Sequence, residues 1–395
     1  MRDRFLLAAV VGALSWACAT QKQEQVAPDV TPPPPPKQVR ITNYNAFDLG
    51  TCFPAPIDVP KVVTPEVITG LLLTARADLD ECMVDPAHRG QSGVTRAVLG
   101  ATVDATGVQV MVGGEGLTPG AKDCLASALN AHLSKVEPLP ATAKPVHGEI
   151  DYFHDAANSP AVTLGVNEAS DVVATLRIAE RQWCDCFAVW RDRAPTSFEG
   201  QLQLAQEDAT PPVVTFPPGA DADTAQVQAC VAKKIEGTKL AHTGALTVPL
   251  KFVFLHSGIS EPLPGAPADL AVLQLEGLRT HNRAAEQLAL GGRAAAANAW
   301  NATVTRYSAN PRAFTMKQLR AGCTALEDAD RALVTTQERF RADEQRALDW
   351  MRAQDPSGLA EPIAAAEQEL VRLATALETS QAQLAQDSAG CAKVK

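Results

Sequence analysis

Cys184-Asp185-Cys186 is the tightest cluster of reactive side chains in the chain. Thiolates at that spacing could ligate a soft metal ion, cycle as a redox pair, or each enter a structural disulfide. The flanking sequence supplies no third and fourth ligand for a closed metal site, so disulfides are favoured over redox chemistry or metal. Seven further cysteines are Cys18, Cys52, Cys82, Cys124, Cys230, Cys323 and Cys391. With Cys18 set apart, eight remain, and an even count reads as a disulfide framework in an oxidising compartment. In a cytosolic chain the same residues would first suggest metal or redox sites.

The other candidates for chemistry are dispersed. His147 and His154 flank one expected strand and, seven residues apart, face opposite sides of it, which makes a poor metal site. His256 stands at the matching end of a later strand, and His154 and His256 both read as surface residues. Trp183 and Trp190 flank the cysteine cluster; they pack in a core or, if exposed, stack on a sugar or a partner. There is no Gly-x-Ser-x-Gly elbow, no phosphate-binding glycine loop ending in Gly-Lys-Ser/Thr, and no His-Glu-x-x-His helix. The expectation is a protein with no catalytic, metal or cofactor-binding residues and no cofactor.

The compartment is written at the start. Arg2 and Arg4 precede an apolar run from Phe5 to Ala17, too short to span a bilayer but suited to an export signal. The run ends at Ala17-Cys18-Ala19, which resembles the lipobox of bacterial lipoproteins, although Ser15 and Trp16 stand where leucine and a small residue are usual. The resemblance implies that Cys18 is acylated and begins the mature chain. Ala19, in place of a retaining aspartate, implies the outer membrane, facing either the periplasm or the surface. The alternative is Ala17-Cys18-Ala19 as an ordinary cleavage site, giving a secreted or periplasmic soluble protein. Pro32 to Pro36 then makes a stiff, extended spacer. The formal net charge of −10 argues against nucleic acid as a partner.

These residues must be positioned by an internal repeat. In the first copy, Thr64-Pro65-Glu66 opens a helix running through Leu71, Leu72 and Leu79 to Cys82. A hairpin follows, Val94–Val103 and Val108–Val112, turning at Asp104 to Gly107. Thr118-Pro119 opens a second helix bearing Cys124, and a strand covers Val146 to His154. The second copy has the same order: a helix from Ser170 to Cys184 and Cys186, strands near Phe198–Leu204 and Val213–Phe216, a helix from Ala222 carrying Cys230, and an alternating strand from Leu246 to Phe254. The cysteine spacings run in parallel. They pair Cys82 with Cys124, pair Cys230 with Cys184 or Cys186, and leave Cys52 for the remaining one.

Each copy therefore reads helix–strand–strand–helix–strand, an α+β fold with helices on one antiparallel sheet. This pattern resembles the C-terminal domain of the energy transducer TonB. It resembles more closely the periplasmic repeat of gliding-motility proteins of the AgmX/PglI type, through Val98, Val103, Asp104, Gly107, Val108, Cys124 and Cys230. The second copy departs from it, since its turn, Glu207 to Pro212, lacks the glycine. TonB's Tyr-Pro signature and membrane anchor are also missing, so energy transduction is not implied. The resemblance implies a fold and protein contact across the envelope, with the last strands, Val146–His154 and Leu246–His256, as edges for an added peptide strand.

After Pro267 the composition turns to Ala, Leu, Gln, Glu and Arg. Gly292 to Trp300 with Tyr307 and Asn310-Pro311 is similar to the second half of one tetratricopeptide repeat. Leu319, Leu326, Leu333 and Phe340 recur at seven residues, as do Ile363, Leu370, Leu377 and Leu384. Between them Asp355-Pro356-Ser357-Gly358 breaks the helix. Cys323 and Cys391 are equidistant from Ser357, so an antiparallel hairpin folded there sets them level and lets them bond. The expected organisation is a signal peptide over 1–18, a tether over 19–48, α+β repeats over 49–157 and 158–260, and a helical domain over 261–395 ending in the hairpin. The expected function is a non-enzymatic envelope lipoprotein that holds a protein partner; the alternative is a cell-wall or carbohydrate-binding protein.

Overall fold

In a computed structural model of the chain, the described residues are 46–88, 94–135, 139–155, 167–192, 197–206, 210–257, 268–354 and 358–394. The expected signal peptide and nearly all of the tether lie outside them. The architecture is mixed α+β, with two small sheets followed by a helical region.

The first sheet is antiparallel, ordered β3-β2-β4, with β2 at Val94–Asp104, β3 at Gly107–Gly113 and β4 at Val146–Asp155. Its hairpin closes on the pair Asp104–Gly107. The Asp104 carboxylate accepts from the Thr106 backbone N–H at 2.7 Å, and Gly107 takes the positive φ of 121° that a side chain would resist. Helix α1 spans Pro65–Thr74, capped by Thr64, whose hydroxyl accepts from the Val67 N–H. The single helix expected up to Cys82 is in fact two. It breaks at Ala75, whose ψ of 0° turns its N–H back to Leu72 O and Leu73 O before α2 at Arg76–Cys82. With α3 at Pro119–Lys135, these helices cover one face of the sheet around Leu72, Leu79, Leu99, Leu125, Leu129 and Tyr152.

The second copy repeats the topology: β5 (Phe198–Leu204) is central between β6 (Val213–Thr215) and β7 (Leu246–Leu255). Helix α4, Glu168–Ala179, starts slightly before the expected Ser170, on an Asn167–Ser170 capping box. It stops before the cysteine cluster, which lies in a turn. Helix α5 is Ala222–Glu236, capped by Asp221. A strand that precedes the first copy, β1 at Ala46–Asp48, crosses over and pairs parallel with Val253–Leu255 of β7. The end of β7 is therefore buried on both faces. Phe252 and Phe254 enter an aromatic core with Phe187, Trp190 and Phe198, while Val253 and Leu255 meet Leu270.

Leu270 belongs to α6, Ala268–Ala309, a 42-residue helix about 63 Å long at 1.5 Å per residue. The segment resembling half a tetratricopeptide repeat is the last part of this helix, which ends just before Asn310-Pro311. Further along α6, Leu288 packs on Val67 and Leu71 of α1. At that crossing a Cβ on Gly70 would sit 2.8 Å from Leu288 Cγ, so glycine is what lets the helices approach. Helices α7 (Met316–Ala353) and α8 (Ala360–Cys391) form the antiparallel hairpin. Leu319, Leu326, Leu333 and Phe340 are buried, as the heptad predicts. On α8 the deepest residues are Ala366 and Leu373, while Ile363, Leu370 and Leu384 are half-buried. The reason is α6, a third helix, which widens the covered face of α8 beyond a two-helix seam. Charged rungs lie between the three: Arg293 reaches Asp330 and Asp387 at 2.9 and 3.0 Å, and Arg372 reaches Glu286 at 2.7 Å.

Candidate functional site

The eight cysteines beyond Cys18 are all in disulfides. Cys82 and Cys124 join α2 to α3, Cys186 joins Cys230 on α5, Cys52 joins Cys184, and Cys323 joins Cys391. The alternative left open by spacing is thus resolved: Cys186, not Cys184, bonds within the second copy. Cys52–Cys184 closes 132 residues and ties the segment after β1 to the turn after α4. Asp185, Cys186 and Cys230 lie close enough together to bind a metal. Their two sulfurs are bonded to each other, however, and Asp185 pairs with Lys234 at 2.9 Å. Cys18 lies outside the described residues.

The histidines need a correction. His147 is exposed as a strand residue facing solvent, but His154 and His256 are buried, not at the surface. His154 falls on the covered face of β4, under α2 and beside Tyr152, with its Nδ1 3.9 Å from Asp80. His256 is enclosed where β7 passes beneath α6, and its Nε2 bonds the Arg191 carbonyl at 2.8 Å. Trp183 and Trp190 are 4% and 0% exposed, packed in the second core. They are not available to stack on a sugar.

Three polar clusters, none evident from sequence spacing, gather inside the fold. In the first, His132 Nδ1 lies 2.9 Å from Asp78 and Nε2 lies 2.7 Å from the Thr74 hydroxyl, the connectivity of a hydrolytic triad. The Thr74 hydroxyl also lies 2.6 Å from Leu71 O of its own helix. The three side chains tie α1, α2 and α3 together.

The second cluster is built on Tyr152, whose phenol donates to Asp80 at 2.9 Å under the Arg76 guanidinium, 4.9 Å above the ring. Burial and the Asp80 charge push the phenol well above its usual range. Burial works to raise Asp80 too, but Arg76 and His154 outweigh it and leave that carboxyl low.

The third cluster joins the two copies. Arg177 of α4 grips Glu81 of α2 through both terminal nitrogens, at 2.9 and 2.8 Å, and also donates to Ala46 O of β1 at 2.7 Å. Its Nε faces Glu180 at 3.5 Å. Two buried carboxylates on one guanidinium leave one charge uncompensated. Burial pushes Glu180 up to about 8, with Arg177 opposing and Glu81 adding to the rise. Val173, Leu176, Leu250 and Phe252 line a cavity of about 20 Å³ beside this group, room for one water.

The expected peptide-accepting edges are partly covered. Thr69 of α1 donates to Glu149 O and Arg76 of α2 to Phe153 O, so two of the outward carbonyls of β4 are taken by helix side chains. On β7, β1 covers Val253–Leu255 and Pro249 interrupts the rest. What lies open is the outer face of the first sheet. There Val98, Met111 and Phe153 are 40%, 53% and 37% exposed, with the Arg96–Asp151 ion pair crossing between Val98 and Phe153. No family model, curated protein or solved structure matches the chain.

Proposed function

We propose that this protein is an exported, lipid-anchored envelope scaffold that holds another protein and performs no catalysis. The observation that carries this reading is the open face of the first sheet. Val98, Met111 and Phe153, one on each of its three strands, are exposed around the Arg96–Asp151 ion pair on a body tied by four disulfides. A rigid platform with an exposed aromatic and a methionine suits contact with a protein, because little entropy is lost when the surface is already fixed. The disulfide framework supports export, and no helix among the described residues is long and apolar enough to cross a membrane. The lipobox-like Ala17-Cys18 supports attachment through Cys18, where two or more acyl chains give the stable hold that one chain does not. The partner is a protein of the same compartment; the outer membrane is the proposed site of anchoring.

The test is residue-specific photo-crosslinking in cells. A photoreactive residue at Phe153 is expected to trap one other protein reproducibly, whereas the same residue at Glu199, on the second sheet, traps none. Trapping at Glu199 alone, or a purified chain that turns over an envelope substrate and loses the activity on mutation of one Asp or Glu, would refute the proposal.

A further inference from the structure

Most strand edges among the described residues carry a blunting feature: β1 is three residues long, and its Ala46 O accepts from Arg177. β4 is capped by Thr69 and Arg76. β7 carries Pro249 and is covered at its end by β1. β6 is three residues long between Pro211-Pro212 and Pro217-Pro218. These are devices by which proteins keep edges from pairing. β3 has none of them: it runs for seven residues, Gly-Val-Gln-Val-Met-Val-Gly, without proline or charge.

Which of its backbone groups are free follows from the hairpin. The two-residue loop makes Asp104–Gly107 a hydrogen-bonded pair, and the alternation continues at Thr102–Gln109 and Gly100–Met111. The N–H and C=O groups of Val108, Val110 and Val112 therefore point away from β2. The same parity turns Glu149 and Phe153 outward on β4, where their carbonyls indeed meet Thr69 and Arg76. Among the described residues nothing pairs with β3 on its outer side.

The geometry points to a second copy of this chain as the occupant: β3 pairs antiparallel with its twin about a twofold axis at Val110. The strand reads the same from both ends, Gly-Val-x-Val-x-Val-Gly. Pairing about Val110 sets Val108 opposite the twin's Val112, Val110 opposite its twin, and glycine opposite glycine. The three outward valines of each strand exchange about six backbone hydrogen bonds. On the outer face, Gln109 opposes the twin's Met111, covering a side chain now 53% exposed. An uncharged edge cannot select a partner by charge, but it is complementary to itself, and a twofold interface closes without leaving a further edge. The result is one six-stranded sheet that doubles the open face. This shares with the proposed function only the first sheet.

Sedimentation of the full chain carrying Cys18→Ala, which cannot be acylated, reads the interaction without detergent. The expected species is a dimer of twice 41.7 kDa. Gln109→Lys with Met111→Lys puts like charges directly opposite each other across the axis and is expected to weaken the dimer at least tenfold. Gln109→Lys with Met111→Glu puts opposite charges there and is expected to restore it. Both positions face solvent, and an unchanged far-ultraviolet circular dichroism spectrum shows that the fold is intact. A monomer throughout the micromolar range, or a dimer indifferent to both pairs of changes, would overturn the inference. A monomer that still crosslinks a different protein through Phe153 ends this inference while leaving the proposed function standing.

Discussion

Replacing Glu180 by glutamine removes a proton that the folded chain keeps and the unfolded chain gives up. The terminal nitrogens of Arg177 are taken by Glu81 and Ala46 O, and Glu180 is the second carboxyl of a buried group with one cation, held at about 8 instead of the usual 4.5. Between those two values the unfolded chain binds fewer protons than the folded one, and stability falls as pH rises. The contribution is complete below about pH 4.5 and is lost by about pH 8. At 1.36 kcal/mol per pH unit, a gap of about 3.5 units corresponds to about 5 kcal/mol. Glu180→Gln keeps the shape and hydrogen-bonding capacity of the protonated acid. It should match the parent chain at acid pH and exceed it by several kcal/mol above about pH 8. The assay is urea unfolding at a series of pH values with disulfides intact, read by the fluorescence of buried Trp183 and Trp190. The difference between variant and parent is the quantity to plot, since other groups titrate in both. A difference that stays flat with pH, or grows toward acid, would refute the surplus-proton argument.

Three further outcomes are expected. Cys323→Ser should leave Cys391 as a free thiol reactive to alkylation and cost about 4 kcal/mol, the chain-entropy value for the 68-residue separation; an unreactive Cys391 would contradict the pairing. His281, half-buried on α6, is pushed down to about 4 by desolvation and by repulsion from Arg339. Its neutral ring therefore contributes stability above about pH 6.5 that is lost as pH falls toward 4, and an NMR titration placing its midpoint near 6.5 would refute this. Gly70→Ala forces a methyl against Leu288 and Ala284 O and should cost about 1–3 kcal/mol in unfolding assays; a neutral effect would show that α1 and α6 do not cross this closely.

The sequence reveals what depends on local periodicity and conceals what depends on burial. The hairpin turn at Asp104 to Gly107, the caps at Thr64 and Thr118, and the heptad on α7 each involve residues within a few positions of one another, so their chemistry is visible in the string. The level pairing of Cys323 and Cys391 was legible because two straight helices convert sequence distance into length. β1 was not: three residues carry no period, and their partner, β7, lies about 200 residues away. The same holds for Glu81 and Arg177, 96 residues apart. His154 and His256 were misread because a strand end is exposed only if nothing covers it, and here α2 and α6 do. The choice between Cys184 and Cys186 turned on where α4 stops, a boundary set by the turn itself.

The two copies share a strand order but differ in what they leave open, and that difference bears on the proposed role. The second copy is closed: β1 completes its sheet, prolines flank β6, two disulfides hold its turn, and its core is aromatic. The first has one disulfide, a largely aliphatic core, a bare seven-residue edge and exposed Val98, Met111 and Phe153 on its outer face. A duplicated unit whose two copies both served as contacts would have no reason to blunt one set of edges and spare the other. Helix α6 touches both, packing Leu270 on the closed copy and Leu288 on the open one, while Arg177 and Glu81 join them directly. On the proposed reading, the closed copy and the helical bundle serve as a mount and the open copy as the surface presented.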